Sequence, residues 1–159
     1  MVKKLNIWVL LVLFVFTTNT FAKQYDELAK TTYSKNDVSA FVYEWFAMFD
    51  HQVDIDELKK HLPKQKVTMN FPNFPIKEMA DFERWYQGVI DNIQFNSHDI
   101  SNLKVSGDEK NGFKVFLHVN WKANTYDKKV YDIVVAQEWE VKVDENREFI
   151  ITNHKAWVL

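Results

Sequence analysis

The side chains that could move a proton or hold a metal form no recognisable motif in this chain of 159 residues. Its five histidines, His51, His61, His98, His118 and His154, form no H-E-x-x-H and no pair four apart on a helix. A metal would need ligands from distant segments, so none is expected. There is no cysteine, which excludes disulfides, thiolate metal sites and a cysteine nucleophile. Gly88, Gly107 and Gly112 are too scattered to build a dinucleotide fingerprint, a phosphate loop or a nucleophile elbow, and no cofactor is expected. What the chain does hold is aromatic rings: six Trp, six Tyr and thirteen Phe. Such rings suit a flat apolar ligand, with Tyr O–H and Trp N–H groups as polar handles.

Residues 1–22 read as a secretory signal peptide. Lys3 and Lys4 are the positive start, residues 5–16 an apolar run, and Thr20 and Ala22 the small residues of a cut expected after Ala22. Twelve helical residues span about 18 Å, short of the roughly 30 Å hydrocarbon core, so no membrane span is expected after cleavage. The location implied is periplasmic or secreted. Net charge is −2 for the whole chain and −4 without the two signal lysines. No basic run exceeds two residues, and nucleic acid is not an expected partner.

The elements that must position the rings follow from periodicity. Residues 23–35 read as a polar leader, and residues 36–159 as one domain. A helix over residues 37–52 places Val38, Phe41, Val42, Trp45, Phe46 and Phe49 on one face, with Ser34 or Asn36 as cap. A short helix over 55–62 starts at Asp54 and ends before Pro63. Residues 66–71 read as a strand and 70–75 as extended or turned, because residues before proline avoid the α region. A third helix is expected over 76–92. Strands follow over 93–105, 113–123, 130–143 and 148–158, with a turn at 106–112. The order α-α-β-α-β-β-β-β predicts an α+β fold with a mainly antiparallel sheet.

Element order, Trp45–Asp50 at the end of the first helix, Arg84-Trp85-Tyr86 in the third, and Asp132–Val135 with Ala156-Trp157 in the last hairpin together resemble the nuclear transport factor 2-like superfamily. That superfamily includes ketosteroid isomerases, scytalone dehydratases and SnoaL-like cyclases. The resemblance spans about residues 38–157. It implies a strongly curved sheet around the first and third helices, a cone with a pocket at its open end, and dimerisation through the outer sheet face. The isomerase chemistry needs a carboxylate base and two acidic hydrogen-bond donors. At the corresponding positions stand Phe71 for the base, and Trp45 and Val135 for the donors, none of which transfers a proton. Asp132 falls on the opposite face of its strand.

The expected ligand-binding set is therefore Trp45, Phe71, Trp85, Tyr86, Trp121, Val135 and Trp157, with Gln137 and Asn153 inward by the period of two. Lys155 would reach the rim. His118, His154, Asp132 and Glu138 alternate onto the outer face. Phe116, Val134, Ala136, Ile150 and Val158 make that face too apolar for free solvation, which fits a homodimer. The favoured function is binding of a small apolar or aromatic molecule without isomerase chemistry, and no catalytic residue is assigned. Two alternatives stay open: a SnoaL-type cyclase, isomerase or dehydratase, and a dimeric interaction module whose cone is filled.

Overall fold

The computed structural model describes Thr32–Leu159, apart from Pro72 and Asn73. The expected signal peptide and all but the end of the leader lie outside the described residues. Helix α1 (Lys35–Asp50) buries Val38, Phe41, Val42, Trp45, Phe46 and Phe49, the stripe its spacing dictates. Its start is fixed by Asp37, whose carboxylate accepts from the backbone N–H of Ser34 at 2.7 Å and from its hydroxyl at 2.6 Å. Helix α2 (Ile55–Lys59) is a single turn and a half, with the Asp54 carboxylate accepting from the Asp56 N–H at 2.9 Å.

Two short strands follow, β1 (Met69–Phe71) and β2 (Phe74–Ile76), paired antiparallel. The Asn-Phe-Pro repeat thus makes a hairpin rather than one strand. Helix α3 (Met79–Asn92) starts three residues later than its periodicity suggests. Asp81 determines that start, because its Oδ2 accepts from the backbone N–H groups of Lys77 and Glu78.

Strands β3 (Ile93–Asp108), β4 (Gly112–Thr125), β5 (Val130–Val143) and β6 (Phe149–Val158) pair antiparallel in sequence. Strand β1 joins β6 in parallel, giving the six-stranded order β2-β1-β6-β5-β4-β3. The sheet is curled and unclosed, with the helices in its concave side: an α+β fold of the expected class.

Three extra residues shape it. The pairing slips between Ile93 and Phe95, between Ser101 and Lys104, and, opposite Glu140 and Val141, at Thr152. Each slip puts one more residue on its strand than on the partner strand, bends the strand and reverses which residues face inward. On β3 the inward set runs Ile93, then Asn96, His98 and Ile100, then Leu103 and Val105. On β6 it runs Phe149 and Ile151, then His154, Ala156 and Val158.

Those slips correct several expectations. Asn153, Lys155 and Trp157 lie on the outer face, and His154 is buried inside (1% exposed). Val158 faces the concave side, while Phe116, Val134, Ala136 and Ile150 keep the outer placement. Trp157 takes the outer place beside Ala136 and is 40% exposed.

Among the described residues no helix is long and apolar enough to cross a membrane, and no three metal-ligating side chains converge.

The glycines test this backbone. Gly107 has φ +91°, and a Cβ there would lie 2.3 Å from the Gly112 carbonyl oxygen. Gly107→Ala is expected to lower unfolding free energy by about 2 kcal/mol. Gly88→Ala, in a helix where the new methyl meets nothing within 4 Å, is expected to raise it by about 0.5–1 kcal/mol. Urea denaturation curves of the two variants check both signs.

Candidate functional site

Between α1, α3 and the concave face of β3–β6 lies a cavity of about 610 Å³. Helix α1 contributes Trp45, Phe46 and Phe49 from its buried stripe, and α3 contributes Trp85 and Val89. Phe71 of β1 stacks on Trp85, ring centroids 4.6 Å apart and planes within 11°. Trp121 of β4 stacks on Tyr131 of β5 at 5.3 Å. Ile133, Val135 and Ala156 complete the apolar wall.

Two polar groupings interrupt that wall. In the first, Asn96 is buried and bonded on both sides of its amide. Its Oδ1 accepts from Trp121 Nε1 at 2.5 Å, and its Nδ2 donates to the Phe49 carbonyl at 3.2 Å. Two residues on, His98 Nδ1 meets Asp50 Oδ1 at 2.6 Å, and the His98 backbone N–H meets Asp50 Oδ2 at 3.3 Å. An ionised carboxylate only accepts. Nδ1 therefore carries a proton, and Nε2 faces no protein partner among the described residues. The ring packs on Phe46 at 5.0 Å, and the side chain is 14% exposed on the cavity wall.

In the second grouping, Gln137 Oε1 takes a bond from Trp139 Nε1 at 2.9 Å and lies 3.0 Å from His154 Nε2. Indole N–H is donor only, so it fixes the amide oxygen there, and that oxygen requires His154 to carry its proton on Nε2. His154 Nδ1 is buried without a partner among the described residues. Burial pushes the imidazole pKa down to about 3, so the ring is neutral.

Of the nine residues expected to line a pocket, the structure brings six to this cavity: Trp45, Phe71, Trp85, Trp121, Val135 and Gln137. Tyr86 is in the core instead, between Phe49 and Phe82, with its hydroxyl donating to the Val53 carbonyl at 2.6 Å. Asn153 faces an outer groove beside Lys104 and Lys155, and Trp157 lies on the outer face. Sequence reasoning missed Asn96, His98, Asp50 and His154. The alternation Asn96-x-His98-x-Ile100 was a usable signal for two of them. Asp50 and His98 are far apart in the chain, and nothing local couples them.

No family model matches the chain, and no curated protein matches it in sequence. Solved structures do match. A candidate aromatic ring hydroxylase from Novosphingobium aromaticivorans aligns with TM-score 0.67 at 16% identity, over 77% of this chain and 86% of that one. A candidate scytalone dehydratase from the same organism gives 0.62 at 14%, over 77% and 81%. Nuclear transport factor 2 from Cryptosporidium parvum gives 0.56 at 15%, over 76% and 90%.

The chain has the nuclear transport factor 2-like fold. Trp45, Phe71 and Val135, which the resemblance led us to expect at the isomerase positions, are all on the cavity wall. Among the described residues the wall holds no carboxylate, and its ionisable side chains are His98, His154, Tyr131 and Arg84.

The lowered pKa of His154 has a consequence for stability. The unfolded chain binds a proton at about pH 6.5 and the folded chain only near pH 3. Stability is therefore full above pH 6.5 and falls as pH drops between the two values. Between pH 7 and pH 5 the loss from this group is expected to be about 2 kcal/mol. Urea titrations of His154→Phe, set beside the unaltered protein at both pH values, should show that slope removed.

Proposed function

We propose that the protein is an exported, dimeric domain that binds a flat, largely apolar small molecule in the cavity. The observation that carries this reading is the cavity itself. At about 610 Å³ it falls within the range of ligand sites, roughly 300–1,000 Å³, and its stacked Phe71–Trp85 and Trp121–Tyr131 walls suit a planar guest. The signal-like residues 1–22 support export. The outer face, with Trp157 and Val134 exposed, supports pairing with a second copy. The cavity supports this reading over an interaction module whose cone is filled.

Native mass spectrometry of protein recovered from the exported fraction tests the three parts together. The expected result is a dimer whose subunits begin at Lys23 and carry an apolar adduct, with the adduct reduced in Trp85→Ala. A monomer, an intact N-terminus or a bare protein would each remove the corresponding part.

A second reading is favoured by the Asp50–His98 pair. A histidine oriented by a carboxylate, with its other nitrogen free on a cavity wall, is equipped to take a proton from a bound molecule. The candidate hydroxylase and candidate dehydratase among the structural neighbours lend this reading support. Deuterium wash-in at the α-carbons of 2-indanone in heavy water measures it. The protein is expected to accelerate exchange, His98→Asn to return it to the buffer rate, and Asp50→Asn to slow it about a hundredfold. Exchange no faster than in buffer leaves the binding reading alone.

A further inference from the structure

We infer that the molecule bound in this cavity is an anion, with an apolar body inside and a carboxylate at the mouth on Arg84. The inference rests on the binding reading above and specifies its ligand class.

Arg84 is the one residue with a permanent charge among the described residues of the cavity wall. Its side chain is 64% exposed while its neighbour Trp85 is half-buried. Helix α3 thus offers two adjacent stripes: Trp85 and Val89 inside, and Arg84 and Gly88 at the edge. Gly88 sits one turn beyond Arg84, and a Cβ there would meet no atom within 4 Å. The helix therefore sets a guanidinium at the opening and leaves the next position on that stripe without a side chain, although glycine weakens a helix interior.

The charge of Arg84 is only partly spent. Asp81 bonds one of its terminal nitrogens through Oδ1, but the same carboxylate accepts the Lys77 and Glu78 backbone N–H groups through Oδ2, at 3.0 and 3.2 Å. Asp81 is thus shared with the positive end of α3. The remaining N–H donors of the Arg84 fork meet no protein acceptor among the described residues, and a planar fork matches a carboxylate in bidentate fashion.

The polar groups on the rest of the wall fix the orientation. Asp50 lies behind His98 there, so a second carboxylate placed beside it would be repelled, whereas a ligand hydroxyl could donate to His98 Nε2 and a ligand carbonyl could accept from the amide N–H of Gln137. An aryl or alicyclic acid entering ring first satisfies both ends.

The test uses 2-naphthoate and its neutral counterpart 2-naphthamide, titrated by calorimetry into the unaltered protein and into Arg84→Gln. The residue is exposed, so the variant retains the fold. Naphthoate is expected to bind about tenfold more tightly than naphthamide at low salt. Added sodium chloride should narrow the ratio, and Arg84→Gln should bring it to about one. Equal binding of the two probes, or an Arg84→Gln variant that keeps the preference, overturns the anion inference and leaves the binding reading standing. If neither probe binds, the binding reading falls and takes the inference with it.

Discussion

A curled sheet can wall a cavity only if each strand keeps its inward residues level with those of its neighbours. Alternation is strict, so one extra residue sends every later side chain to the other face. Here three such residues, at the Gln94, Asn102 and Thr152 positions, lie on the strands flanking the β4–β5 pair, whose register is unbroken. Without the first, Phe95 would point inward and His98 outward. With it, Phe95 is left exposed and His98 reaches Asp50. Without the third, Asn153 and Trp157 would enter the cavity and His154 would be wet. The same slips that bend the sheet around α1 thus decide which chemistry it encloses.

An apolar cavity tolerates polar side chains only when their bonds are made locally, since an unpaired buried polar group costs about 1–3 kcal/mol. Both groupings in the wall pair an amide with an indole, and His154 Nδ1 is the buried atom they leave without a partner among the described residues. Trp121 holds Asn96, and Trp139 holds Gln137. Indole nitrogens never accept, so each pair fixes the orientation of an amide that could otherwise turn over. The fixed Gln137 in turn fixes the tautomer of His154. The rings therefore act twice, as apolar wall and as the donors that order the few polar groups behind it.

The fold was readable because its determinants are periodic. Val38 through Phe49 recur at helical spacing, and Phe113 through Trp121 alternate without interruption, so α1 and β4 follow from the sequence directly. The cavity was readable where its residues sit on those uninterrupted elements, as with Trp45, Trp121 and Val135. It was unreadable past Thr152, whose extra position has no distinctive residue type: neither glycine nor proline marks it. Tyr86 fits the helical stripe of α3 equally well as wall or core, and only the reach of its hydroxyl to Val53 decides for the core. The Asp50–His98 pair joins the end of a helix to a strand 48 residues on, a contact set by tertiary packing alone.

A chain without cysteine must draw its stability from packing, and this one concentrates it away from the cavity mouth. The long β3–β4–β5 ladder and the aromatic stripe of α1 form a continuous buried body. The edge of α3 carries Arg84 and Gly88, neither of which adds to it. A helix selected for stability alone would place a methyl or longer apolar group at residue 88, where there is open space. That the position is glycine, one turn from a guanidinium, leaves the cavity lining beside Arg84 without a side chain.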